Sequence, residues 1–214
     1  SKLSSLYFST AYINNKTSIR FNAITGKEKT YQSWNGIPEY KLHRNDTKLL
    51  EHYWNNSYPT TSDSLNLFDN NNNRTYNVFT YKNQTDNYQQ DHYQLFFNHE
   101  LSKAWNFNAA FFLTRGRGYY EEYKYKEDLG DYGLSSAGDA DIIRQLWLNN
   151  WFYGTTFSAQ YKKDKDQLTI GGAYTRYKGL HYGKIIWSEV SVPKDYKWYD
   201  LNAFKNDFNI YTKY

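Results

Sequence analysis

The side chains that could do chemistry are few, and none falls into a working constellation. The five histidines, His43, His52, His92, His99 and His181, are scattered, with no His-x-x-x-His or Glu-x-x-His spacing to put two ligands on one helical face. His43 and His52 share one polar stretch and could hold a metal or a haem, but loop histidines without a partnered carboxylate usually face solvent. Asp69, followed by Asn70, Asn71, Asn72 and Asn73, offers oxygens that suit Ca²⁺, yet the spaced acids and closing Glu of a calcium loop are missing. Gly116 and Gly118 are a fragment of a phosphate-cradling loop, without its remaining glycine or its helix. Arg115 and Arg117 among Tyr119, Tyr120 and Tyr123 would suit stacking on nucleic-acid bases. The simpler account is cations facing lipid headgroups beside interfacial rings. No Ser/His/Asp triad or carboxylate pair can be assembled, and zero Cys removes thiol nucleophiles and thiolate metal sites. The expectation is no enzyme, no metal site, no cofactor and no nucleic-acid partner.

What the chain has in excess is rings. Its 24 Tyr, 13 Phe and 7 Trp make up 21% of 214 residues, at a mean hydropathy of −0.94. So many rings exclude disorder, and so polar a sequence does not suit an ordinary all-β core. Outer-membrane barrels combine the two, with aromatic girdles at both interfaces and a polar lumen. The absence of Cys argues against a disulfide-stapled secreted domain. A net charge of +4 with Lys and Arg dispersed among acids leaves no nucleic-acid footprint. No apolar run approaches the ~20 residues of a membrane helix, but barrel strands need only ~9–11. No signal peptide opens the chain, so Ser1 reads as a processing point or a cut within a longer sequence.

The elements that must position these rings show period two. Trp105, Phe107, Ala109, Phe111 and Leu113 share one face, against Asn106, Asn108, Ala110, Phe112 and Thr114; Arg115 and Arg117 continue the apolar face into charge. Ten residues at ~3.3 Å each, tilted ~45°, cover about 23 Å, close to the ~25 Å apolar band of an outer-membrane barrel. The same design runs through Trp151, Tyr153, Thr155, Phe157, Ala159 and Tyr161, and through Leu168, Ile170, Gly172 and Tyr174 into Arg176 and Lys178. Tyr93, Leu95, Phe97, His99 and Leu101 form another face; weaker versions occupy Leu6–Tyr12, Ile19–Thr25 and Phe208–Tyr214, which makes seven strands. Trp105, Trp151, Tyr153, Tyr161 and Tyr174 are expected as membrane-interface rings.

Connections alternate in length. Asn14–Thr17, Ser102–Ala104 and Lys163–Asp166 are short, whereas Tyr31–Gln84, Lys126–Asn149 and Tyr182–Asn206 are long. Long structureless loops are rare in compact soluble domains but routine on the outer side of such barrels. Rings set among Asn and charge on these loops are the candidate ligand surface: Trp34, Tyr53, Trp54 and Tyr58 in the first, Trp147 near the end of the second, Trp187 and Trp198 in the third. Packing of the loops against one another is the competing account for each.

With these residues in view, Gly26-Lys-Glu-Lys-Thr-Tyr-Gln-Ser-Trp-Asn-Gly-Ile-Pro38, Thr85-Asp-Asn-Tyr-Gln-Gln-Asp-His-Tyr-Gln-Leu-Phe-Phe-Asn-His99, Trp105–Tyr123, Ile143–Gly154 and the tail Lys197–Tyr211 resemble barrel blocks of Gram-negative TonB-dependent receptors, in the family's order. The resemblance implies an antiparallel transmembrane β-barrel of about 22 strands around a plug, of which this chain holds about seven. It implies import of scarce nutrients, an iron chelate or similar small cargo, with a glycan importer of the same fold as the nearest alternative. A soluble aromatic-rich carbohydrate-binding β-domain is the alternative from another class. Implied partners are outer-membrane lipid and lipopolysaccharide, the energy-coupling protein TonB through sequence outside this chain, the cargo, and a surface lipoprotein if glycans are imported. Seven strands cannot close, and an open edge in lipid leaves unpaired backbone groups at several kcal/mol each, so the chain reads as one part of a larger barrel.

An apolar band has a measurable middle. Phe111→Arg should cost ~2–4 kcal/mol in a membrane, against about 0–1 for Tyr161→Arg at an interface. Equal costs in a bilayer unfolding assay would rule the band out.

Overall fold

The computed structural model describes residues 1–58, 60–134 and 138–214. Among these residues the chain forms one seven-stranded antiparallel sheet in which every strand pairs with its sequence neighbours. The strands are β1 (Lys2–Ile13), β2 (Thr17–Tyr31), β3 (Thr85–Ser102), β4 (Trp105–Asp128), β5 (Asp139–Lys163), β6 (Asp166–Ser188) and β7 (Lys197–Lys213). Three short helices, α1 (Glu39–Leu42), α2 (Asp46–Asn55) and α3 (Thr61–Phe68), lie between β2 and β3. The all-β class and the seven strands therefore stand as expected. Closure into a barrel lies beyond what these seven strands show.

Local chemistry makes the three short turns. The Asn14 side-chain oxygen accepts from the backbone N–H of Lys16 (2.9 Å) and Thr17 (2.8 Å), folding the chain back within the three residues 14–16. Ser102 Oγ does the same for Trp105 N at 3.2 Å. Asp164 takes φ +52°, a left-handed conformation that Asp tolerates better than most residues.

Directly paired residues of an antiparallel sheet share a face, so the register decides which side chains sit together. Trp105 pairs with Tyr161, Ala109 with Phe157, Phe111 with Thr155 and Arg115 with Trp151; Ala159 pairs with Ile170 and Trp151 with Lys178. Leu95 pairs with Phe111, and Phe21 with Leu95. One face is thus apolar across the sheet, as the alternation requires. Asn108 opposite Ser158, Ala110 opposite Thr156 and Asn98 opposite Asn108 make the other face polar.

The long connections need correction. The first spans 32–84 as expected, but it is not structureless. The second and third shrink to 129–138 and 189–196, because β4, β5, β6 and β7 run far past the end of the apolar alternation. At ~3.3 Å per residue, the 24 residues of β4 reach about 79 Å, more than three times an apolar band. Backbone pairing sustains these upper segments, and it does not need one face to be apolar.

Two small cores sit at this end. Leu129, Ala140, Ile142 and Ile185 are buried under Tyr132, with Tyr196 and Trp198 packed against them. In the first loop, Leu49 and Leu67 are fully buried with Tyr76, and Tyr53, Tyr58 and Phe68 pack around them. Asn45 caps α2, and a reciprocal capping box between Thr60 and Asp63 starts α3. Asp69, the candidate Ca²⁺ ligand, instead caps the 3₁₀ turn Asn70–Asn72 by accepting from Asn71 N at 2.9 Å.

Because the first-loop core shares no buried residue with the sheet, its loss should be local. Leu67→Ala is expected to cost ~2–5 kcal/mol, read as faster hydrogen exchange through α2 and α3. Exchange in β3–β6 should stay unchanged; parallel acceleration there would show that loop and sheet unfold together.

Candidate functional site

Above the apolar rows, the polar face turns into a wall of rings and charge. Its centre is Arg144 on β5. The guanidinium donates to Glu122 Oε1 of β4 through Nε at 2.7 Å, with a second nitrogen 2.6 Å from the same oxygen. It also donates to the Tyr132 hydroxyl at 2.5 Å, which in turn donates to Glu127 Oε2 at 2.7 Å. Tyr132 packs edge-on to Trp198 of β7, ring centroids 5.0 Å apart. Glu122 is buried, and pairing with a charge-assisted donor is what makes that burial tolerable. One cation thus ties β4 and β5 to the connection between them, and through Tyr132 to β7.

Glycines make room for the rings. A Cβ at Gly183 would run into the Trp198 indole, and one at Gly118 into the Tyr88 ring and its backbone. Gly118 is therefore explained by packing, and phosphate binding need not be invoked. Beside Gly118 a groove of about 300 Å³ opens between Glu28, Asp86, Tyr88, Tyr120, Leu146 and Leu148. Trp34 of the first loop stands beside one of its walls, 6.1 Å from Tyr120 in a T-shaped contact, and remains 64% exposed. An exposed indole beside a groove of phenols and carboxylates can stack on a planar or apolar group while the oxygens take hydrogen bonds.

The other candidate rings scatter. Tyr53 and Tyr58 stack at 5.6 Å inside the first-loop core. Trp54 lies beside Tyr53 at the surface, 78% exposed. Trp147 is not on a loop: it lies on β5, in a row with Tyr119 (4.4 Å) and Tyr182 (5.6 Å) on the other face of the sheet. Trp187 ends β6 on that same face, paired with Ile143. Trp198 belongs to β7 and serves the loop core. Only Trp34 and Trp198 reach the wall that includes Arg144. Sequence reasoning missed Tyr88, Leu146, Leu148 and Arg144, and it weighed Tyr120 only as a stacking ring beside Arg115 and Arg117; Leu146 and Leu148 fall on the polar face of β5, against its alternation.

Of the expected interface rings, Trp105 and Tyr161 meet at 5.0 Å at the short-turn end. Trp151 lies under the Arg115 guanidinium at 4.5 Å at the other end, with Tyr153 next on its face. Tyr174 shares the row of Phe111 through Thr155, and its hydroxyl reaches Asn206 at 3.4 Å. His52 Nδ1 is engaged by the Tyr40 hydroxyl, and His99 Nδ1 by Thr17 Oγ1 at 2.8 Å.

The first loop is fastened from the face that carries Trp147. Trp147 Nε1 donates to Gln145 Oε1 (3.0 Å), Gln145 Nε2 donates to Glu121 Oε2 (2.7 Å), and the Tyr81 hydroxyl donates to Glu121 Oε1 (2.7 Å). Burial first, and then the Glu121 carboxylate, push the Tyr81 phenol up to about 12.

No family model matches the sequence, and no curated protein does. Among solved structures the chain is similar to the ferric-catecholate import receptor Fiu from K12 E. coli in its closed form, with a TM-score of 0.40 and 10% identity over 98% of this chain and 40% of that one. The chain thus spans less than half the length of that protein.

The Tyr81 contact carries a pH signature. Its folded pKa lies above the unfolded 10.0, so its contribution is complete below pH 10 and fades as pH rises to about 12. Tryptophan fluorescence and near-UV dichroism should report loosening of the first loop over that window. Tyr81→Phe should flatten this component, and an unchanged alkaline transition in the variant would remove Tyr81 from the fastening.

Proposed function

We propose that this chain is part of the barrel of an outer-membrane receptor of the TonB-dependent kind, which imports a scarce small nutrient such as an iron chelate. The observation that carries the reading is the sheet itself. Seven consecutive antiparallel strands keep one apolar and one polar face, and every long connection lies at the same end. Rings bracket the apolar rows at Trp105 with Tyr161 and at Trp151, as two interfaces with water would require. A soluble sheet would have to cover these rows, which leave Phe111 51% and Ile170 43% exposed.

In this reading the outermost strands β1 and β7 continue into further strands of the barrel, which pair their free edges, while Leu6, Phe8, Phe204 and Phe208, all strongly exposed here, lie on the apolar face. Lipid and lipopolysaccharide surround the apolar face. TonB acts through a plug outside this chain. The short turns face the periplasm, and the first loop faces the cell exterior with Trp34 beside the groove lined by Tyr88 and Tyr120. Cargo meets the rings first and the polar wall, where Asn22 bonds Gln94 at 3.3 Å, afterwards. No step of this reading is catalytic.

The test uses the intact receptor. Replacing residues 34–79 with a short Gly-Ser linker keeps the Gln32–Gln84 backbone bond that closes the base of the loop. Lengthening or shortening a loop changes its closure entropy by only about 0.6 kcal/mol per factor of two. The variant should insert and stay heat-resistant while whole-cell binding of ferric chelates falls. Undiminished binding would take this loop out of the site, and a tag in it reachable only from the periplasm would reverse the topology. Binding of an oligosaccharide in place of a chelate would reassign the cargo.

A further inference from the structure

The first loop carries the chain's one Asn-Gly pair, Asn35-Gly36. Ser33, Trp34, Asn35 and Gly36 are all exposed, and they bridge two anchored points. On one side the buried Gln32 donates its backbone N–H to the Gln84 carbonyl at 2.8 Å; on the other, Ile37 packs against the first-loop core. Between them the chain makes a tight turn. Gly36 completes it at φ +68°, a left-handed conformation that suits glycine. The Gly36 N–H donates to the Ser33 carbonyl at 3.4 Å, near the outer limit of a hydrogen bond.

These circumstances suit a reaction between neighbours. The backbone nitrogen that follows an asparagine can attack that residue's side-chain carbonyl carbon and close a cyclic imide. A side chain on the following residue crowds the approach, and glycine has none. A Cβ at Gly36 would meet nothing within 4 Å, so no neighbouring group obstructs the nitrogen either. Other asparagines of the first loop are held. Asn56 donates to the His52 carbonyl at 2.8 Å, Asn72 to Asn66 Oδ1 at 2.7 Å, and Asn77 to the Gln32 carbonyl at 2.5 Å. Among the described residues the Asn35 amide has no such bond, and it faces solvent.

We propose that Asn35 is a site of spontaneous deamidation, which sets a new carboxylate beside Trp34. The Gly36 nitrogen forms a bond to Asn35 Cγ and gives up its proton, and the side-chain nitrogen leaves as ammonia. Water then opens the imide at either carbonyl, giving aspartate or isoaspartate, and nothing is oxidised or reduced. Each conversion exchanges a neutral amide for a negative charge, which acts on its surroundings as any added charge does. Glu28 and Asp86 already line the groove beside Trp34, and no cation does. The loop therefore becomes less hospitable to anions as the molecule ages, a consequence for cargo that rests on the transport reading above. The chemistry at Asn35 needs only an exposed loop.

Incubation of the intact receptor in mildly alkaline buffer and mild detergent, followed by peptide mapping with mass spectrometry, tests this. The peptide carrying residue 35 should gain the mass of an amide-to-acid exchange over an unaged control, and its aspartate and isoaspartate forms should separate. Asn35→Gln, whose longer side chain would have to close a larger ring, should lose that change. The peptide carrying Asn56 should stay unmodified in both proteins. Iodide should quench tryptophan fluorescence less in the aged wild type than in aged Asn35→Gln, whereas neutral acrylamide should quench both alike. An unmodified residue 35, or conversion at Asn56 or Asn70–Asn73 ahead of it, would overturn the site. Equal iodide quenching after complete conversion would overturn the placement of the charge beside Trp34. A receptor modified at Asn35 that binds no ferric chelate would sink the transport reading and leave the site standing.

Discussion

Pairing of main-chain N–H and C=O groups across the seven strands is the interaction on which everything else here depends. The ladder and the face pattern enforce each other. A one-residue slip between β4 and β5 would carry Phe157 and Tyr161 to the side of Asn106 and Asn108. The irregularities of register are placed accordingly. They fall at Glu100/Ser102, Lys124/Glu127, Ile143/Arg144 and Gly183/Lys184, all outside the rows that run from Trp105 to Arg115 and from Trp151 to Tyr161. A bulge leaves backbone groups unpaired, which water tolerates and hydrocarbon does not. Unbroken pairing within the apolar rows and bulges only beyond them is the distribution a membrane would select.

Beyond those rows the same ladder continues under different rules. Once the apolar face is no longer required, side chains are free to serve the connections, and the sheet becomes a scaffold for rings. Gly183 and Gly118 accept Trp198 and Tyr88 against the backbone. Arg144, paired with the buried Glu122, can be half-buried because its hydrogen bonds reach Tyr132 as well. The first loop takes another route, enclosing Leu49, Leu67 and Tyr76 in a core of its own. A 53-residue connection, 32–84, is thereby ordered at little expense to the sheet.

What the sequence disclosed follows from this division. Strand number, short turns and the two faces were readable because period two is imposed wherever apolar and polar surroundings alternate. The upper halves of β4 and β5 were not readable in that way. Gln145, Trp147 and Asn149 share one face there, and Arg144, Leu146 and Leu148 the other, so polarity no longer separates the sides. Segments of this kind look like loops by composition, and Trp147, Trp187 and Trp198 were assigned to loops for that reason. Trp34 was legible as an exposed ring, but its neighbour Tyr120 comes from a strand that the chain joins only after the whole first loop. The helices of that loop carried the Thr60–Asp63 capping signal in plain sight, diluted by a run of Asn.

Glu121 and Glu122 show how far the period-two rule reaches beyond the apolar rows. They are consecutive on β4 and therefore point to opposite sides of the sheet. Glu121 accepts from Tyr81 and Gln145, and so holds the first loop. Glu122 accepts from Arg144, and so holds the core beneath the other two connections through Tyr132. The two fastenings share no side chain, and the sheet itself separates them. Interactions that share no partners add with little coupling. The Tyr81 tether of the first loop can therefore be released without breaking the bonds that Arg144 makes to Glu122 and Tyr132 on the other face of the sheet. Two adjacent carboxylates on one extended strand thus give the first loop and the other two connections separate fastenings.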